Sequence, residues 1–207
     1  MTRYGVSVTT FRVAALYAID CGRTDQSFWL DRHYNDWIRN LHPRELQDDA
    51  HKFYQAAVTC GIAHYCVGDL KGAIRIGQEA LEQFTAEKDE RAGRLAANLA
   101  YFFAEWFAMQ PNAEYAVAAT QLIDRAAQFL PSEMHPRIRD TAGFVLIQTG
   151  STPEEVEKGL TFCRESHEAL MASDDEDMKG SSRQFFELHR EIAYQRLADL
   201  TRSPTEN

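Results

Sequence analysis

Residues 61–81 read GIAHYCVGDLKGAIRIGQEAL, and the fold turns on how this stretch is read. Four of its 21 residues are glycine, each costing about 1 kcal/mol against alanine in a helix interior. Yet helical periodicity runs on both sides of Gly68-Asp69, over about 44–67 and about 70–86. The small residues are regularly placed: Gly61 stands seven before Gly68, Ala73 five after it, and Ala80 seven after Ala73. Two antiparallel helices joined by a short turn approach closely only where side chains are short. A larger residue at Ala73 or Ala80 would overpack that contact. The stretch is therefore a helix hairpin with its turn at Gly68-Asp69; Gly72 and Gly77 are not required by this pattern.

The same punctuation recurs outward. Candidate helices cover about 10–20, 25–40, 91–109, 113–130, 137–149, 153–172 and 182–201. Gly22, His42-Pro43, Gln110-Pro111-Asn112, Pro131 to Pro136 and Gly150 to Pro153 separate them. Thr152 is a natural N-cap, with Pro153 at the first helical position and Glu154 and Glu155 in the first turn. Ser173 to Ser182 reads as an acidic loop, and the last residues, TRSPTEN, as a frayed end.

Composition narrows the class of function. Hydrophobic residues make up 44% and charged residues 26% of the 207, an ordinary balance for a globular chain rich in helix formers. The 31 acidic side chains outnumber 22 basic ones, and no local basic cluster offsets them, which argues against nucleic acid as a partner. Val13 to Ile19 is too short to span a membrane, and no long apolar run leads to a signal-cleavage site. The four cysteines, Cys21, Cys60, Cys66 and Cys163, form no CxxC. They read as reduced, buried thiols, which with the rest points to a cytoplasmic setting.

The spacing of Gly61, Gly68-Asp69, Ala73 and Ala80-Leu81 resembles the tetratricopeptide repeat, a helix-turn-helix unit of about 34 residues. A second unit is similar over Asn98 to Phe103 with Ala119, Ala126 and Pro131. There Phe107 takes the turn-glycine position, and an insertion of about seven residues precedes Ala119. A third runs from Asp140-Thr141-Ala142-Gly143-Phe144-Val145 to Gly150, although EEVEKGLTFCRESHEAL offers no small-residue pair in register. The resemblance covers about residues 54–170. It implies an all-α fold: antiparallel helix pairs stacked as a short α-solenoid with a C-terminal capping helix. Residues 1–50 would be an N-terminal helix pair packing on the repeats at 51–172, followed by the acidic loop at 173–182 and a final helix and tail at 183–207.

The resemblance further implies a concave groove lined by the first helix of each pair. Its expected partner-binding residues are Gln55 and Tyr65, then Arg94, Asn98, Tyr101 and Glu105, then Arg137, Asp140 and Thr141. Val58, Ile62, Cys66, Ala97, Phe144 and Gln148 share the same register. Asn98 and Arg137 fall on positions where some members hold a peptide carboxylate. Val58 and Ile62 occupy the equivalent places of the first unit, so that full clamp is not expected. The partner is then a peptide or a partner helix. Self-association is left open, and the C-terminal helix either caps the array or lies in the groove.

Catalytic signatures are missing. The chain has no HExxH, phosphate loop, dinucleotide fingerprint or nucleophile elbow. A carboxylate three residues before a histidine occurs at Asp48 and His51, whereas His167 follows Arg164 and His189 follows Phe186 at that spacing, so no di-iron set is assembled. No catalytic residue, metal or cofactor is expected. The sequence reads as a noncatalytic interaction module or adaptor. A helical enzyme or small-ligand sensor using Trp29, His33, Tyr34, Trp37 and His51 is the alternative.

Overall fold

Gly68 has φ of +81°, a backbone conformation that glycine adopts without strain, and it ends one helix where the next begins. In this computed structural model its N–H donates to the Tyr65 carbonyl at 3.0 Å, and the Asp69 N–H donates to the His64 carbonyl at 2.8 Å. That pair of bonds closes a helix C-terminus around a left-handed glycine. Asp69 then caps helix α1 (Leu70–Gln83), its carboxylate accepting from the Gly72 N–H. The structure describes residues 57–58, 61–62, 64–65, 68–84, 90–129, 135–172 and 176–202. The expected N-terminal helix pair at 1–50, and Gln55, lie outside these residues.

Ala73 and Ala80 are fully buried, in keeping with their reading as close-contact positions. Gly72 gains a reason that spacing did not supply. A Cβ there would run into the Asp69 carboxylate and the His64 ring. The buried imidazole and the capping carboxylate thus occupy the space that a side chain would need.

By its internal contacts the chain divides into two compact units, Met1–Thr85 and Ala86–Asn207. Among its described residues the second holds five helices: α2 (Glu90–Met109), α3 (Ala113–Phe129), α4 (Pro136–Thr149), α5 (Pro153–Met171) and α6 (Glu176–Thr201). No strand occurs among the described residues. Connections of three residues fold α2 onto α3 and α4 onto α5, each pair in extensive contact, which makes them antiparallel hairpins. Helix α4 packs on both α2 and α3, and α6 packs on both α5 and α4.

Small residues sit where these helices meet. Ala100 and Ala104 of α2 and Ala119 of α3 are buried with Phe144 and Val145 of α4. In the second hairpin Gly143 of α4 faces Gly159 of α5, so closely that a Cβ on either would press on the other's carbonyl oxygen. Gly159 supplies the small partner that EEVEKGLTFCRESHEAL did not reveal in register. Ile147, Val156 and Cys163 continue this core into α6, where Ala193 is buried against them.

The caps follow the local sequence. Thr152 accepts from the Glu155 N–H while the Glu155 side chain accepts from the Thr152 N–H, a complete capping box with Pro153 behind it. His135 caps α4, with Pro136 at its first turn. One expectation needs correction: the run from Ser173 to Ser182 is not all loop, because α6 begins at Glu176. Acidic residues suit the positive end of a helix as well as they suit a solvated loop. None of the helices among the described residues is long and apolar enough to cross a membrane.

Candidate functional site

Four of the expected groove residues lie on α2 and three on α4, two helices in direct contact. At one end of this face stand Arg94 and Arg137, both exposed, with His135 between them in electrostatic terms. His135 Nδ1 accepts from the Arg137 N–H at 3.3 Å, which requires that nitrogen to be unprotonated. Partial burial pushes the His135 pKa below its ordinary value, and the Arg94 and Arg137 guanidinium groups push it further, against the pull of Glu90. Asn98 is half-buried, one helical turn beyond Arg94. Thr141 donates its hydroxyl to the Arg137 carbonyl at 3.1 Å. Among the described residues this end carries two exposed arginines, with the Glu90 carboxylate also acting on His135.

Farther along, the face is covered by α6. The Tyr101 ring stacks on Phe144 with centroids 4.4 Å apart. The His189 ring of α6 lies 4.5 Å from Phe144 and 6.1 Å from Tyr101. Ile192 joins them against the same core. Asp140 is bonded to His189 rather than presented to solvent alone, with Nδ1 3.3 Å from Oδ1. Glu105 is half-buried near the end of α2, and Tyr65 is half-buried in the first unit.

A cluster that local spacing did not reveal sits under this cover. Asp140 of α4, Cys163 of α5 and His189 of α6 converge, with one donor atom from each within 4.8 Å of the others. Cys163 Sγ lies 3.7 Å from His189 Nδ1 and donates to the Asp140 carbonyl at 3.5 Å. Cys163 and His189 are fully buried, and His189 Nε2 has no hydrogen-bond partner among the described residues. The signal was absent from the sequence because these residues are 23, 26 and 49 positions apart.

Chemically the cluster is not a nucleophile relay. In a Cys-His-Asp relay the thiol and the carboxylate engage opposite ring nitrogens, whereas here both approach Nδ1. Burial, and then Asp140, push the Cys163 thiol far above its ordinary pKa, so it stays protonated and unreactive at neutral pH. Trp29, His33, Tyr34, Trp37 and His51, the residues of the enzyme or sensor alternative, lie outside the described residues. No protein-family model, curated protein or solved structure matches the chain.

Proposed function

We propose that the chain is a tetratricopeptide-like, noncatalytic interaction module that takes an acidic peptide or partner segment on the α2/α4 face. The observation that carries this reading is the pairing of exposed Arg94 and Arg137 about His135. Two guanidinium groups beside a half-buried polar residue, Asn98, offer planar recognition of a carboxylate with an added hydrogen-bonding group. The packing order supports the architecture. Helix α4 rests on both helices of the preceding hairpin, chiefly on α2, and α6 rests on both helices of its own, chiefly on α5. Packing of each added helix on the hairpin before it is in keeping with an α-solenoid. Coverage of Tyr101 and Asp140 by α6 leaves the Arg94–Arg137 end as the docking place.

Fluorescence polarisation against a panel of acidic peptides, with free and amidated C-termini, tests the proposal. Wild-type protein should bind a subset, more weakly as salt is raised. Replacing Arg94 and Arg137 together by alanine should weaken that binding about tenfold or more, since charge-assisted bonds contribute about 1.5–3 kcal/mol each. Equal affinity in the double variant, or no binding by wild type, rejects the assignment.

A further inference from the structure

We infer that Asp140, Cys163 and His189 form a zinc-binding site that ties α6 to the α4/α5 hairpin. Zinc binds imidazole nitrogen and carboxylate oxygen at about 2.0–2.1 Å and thiolate sulfur at about 2.3 Å, with tetrahedral angles. Those lengths place nitrogen and oxygen ligands about 3.3 Å apart and nitrogen and sulfur ligands about 3.6 Å apart. The corresponding separations here are 3.3 Å and 3.7 Å. Two of the three separations thus match edges of a zinc tetrahedron meeting at His189 Nδ1; the third pair, thiol sulfur and carboxylate oxygen, lies within 4.8 Å and would close to about 3.6 Å around the ion.

One sulfur, one nitrogen and one oxygen suit a borderline-soft divalent ion, whereas calcium and magnesium take oxygen ligands. A thiolate and a carboxylate carry two negative charges, which a divalent cation neutralises in a buried place. Zinc binds cysteine as the thiolate, so metal uptake releases the thiol proton. Three protein ligands leave the fourth position to water or another small ligand. Asp140 is the one member with side-chain exposure, 21%, and so marks the route to solvent.

The three ligands come from three different helices, so the ion would act as a staple. It would fix His189 against Phe144 and Tyr101 and hold α6 over that part of the α2/α4 face.

Cobalt(II) and zinc(II), added to the chelator-treated full chain and followed by desalting, test the site. Wild-type protein should retain about one equivalent of either ion. The cobalt form should show a thiolate-to-metal charge-transfer band and intense tetrahedral visible bands. Cys163→Ser should lose the charge-transfer band. Asp140→Asn should weaken zinc binding about tenfold or more, at least the loss that follows removal of an outer partner. A helical wild-type chain that retains neither ion overturns the inference. So does a charge-transfer band that persists in Cys163→Ser, which would place the metal on the other cysteines. Should Cys163→Ser fail to fold by circular dichroism, Asp140→Asn decides, and unchanged affinity in that variant overturns the site.

Discussion

Gly143 and Gly159 face each other across α4 and α5, each standing where the other's carbonyl leaves no room for a methyl group. A Cβ on Gly143 would come within 2.5 Å of the Gly159 carbonyl oxygen, and one on Gly159 within 2.6 Å of the Gly143 carbonyl oxygen. Because the obstacles are backbone atoms, side-chain rotation cannot relieve them. The helices must separate, and the buried contacts of Ile147 and Cys163 must open with them. Alanine gains about 1 kcal/mol of helix propensity over glycine, but overpacking costs about 1–3 kcal/mol. Gly159→Ala and Gly143→Ala should each lower stability in urea titrations. A stabilised variant would show that this helix crossing is looser than its geometry implies.

The His64–Asp69 bond makes a similar case for the turn of the first unit. His64 is fully buried, its Nδ1 lies 2.8 Å from Oδ2 of Asp69, and the other carboxylate oxygen caps α1 through Gly72 at 3.0 Å. Asp69→Ala removes both links. Loss of an N-cap costs about 1 kcal/mol, and stripping a buried polar group of a partner adds about 1–3 kcal/mol. Asp69→Asn keeps the cap and should lose less. The order of stability, wild type above Asn above Ala, is checked by thermal and urea unfolding. Equal stability of wild type and Asp69→Asn would mean that the cap is Asp69's only contribution.

Periodicity and punctuation in the sequence located α2 to α5 closely, because Gln110-Pro111-Asn112 and Gly150-Ser151-Thr152 interrupt strong amphipathic runs. The start of α6 was hidden, since Glu176 and Asp177 serve a helix N-terminus or a loop equally well. Arg94 and Arg137 were legible as surface positions because arginine is rarely buried. Cys163 and His189 were not legible as a pair: their meeting depends on how α6 lies on α5, which no local spacing encodes. Gly72 and Gly159 likewise gained meaning only when the atoms opposing them were in place.

The capping box predicts a pH response at the start of α5. Hydrogen bonds from the Ser151 N–H, the Ser151 hydroxyl and the Thr152 N–H hold the Glu155 carboxyl below its ordinary value of 4.5. A lowered folded-state pKa contributes stability that is fully present above the unfolded value and lost as pH falls through the folded one. Glu155 is exposed, so solvent screening keeps the contribution small. The stability gap between wild type and Glu155→Gln should therefore narrow as pH falls from 6 to below about 4. Urea titrations across that range check it, and a gap that widens toward acid contradicts the capping role. Thr152→Ala should cost about 1 kcal/mol, since it removes the reciprocal acceptor.

His135 gives the opposite residue type the same sign of dependence. Its pKa is lowered from the ordinary 6.5 by burial, then by Arg94 and Arg137, so the folded state binds fewer protons than the unfolded state between the two values. Its contribution is thus complete above about 6.5 and is lost as pH falls through the folded value. Protonation abolishes the Nδ1 acceptor that caps the Arg137 N–H and adds a third cation beside two arginines. His135→Asn retains a capping side chain that does not titrate. The expected result is a shallower fall in wild-type-normalised stability between pH 7 and 5 for His135→Asn. A bound carboxylate between Arg94 and Arg137 would offset their repulsion of the imidazolium. Saturation with an acidic peptide should then raise the His135 pKa, read from its imidazole proton resonances. A pKa that stays fixed on peptide saturation would place the peptide away from this end of the face.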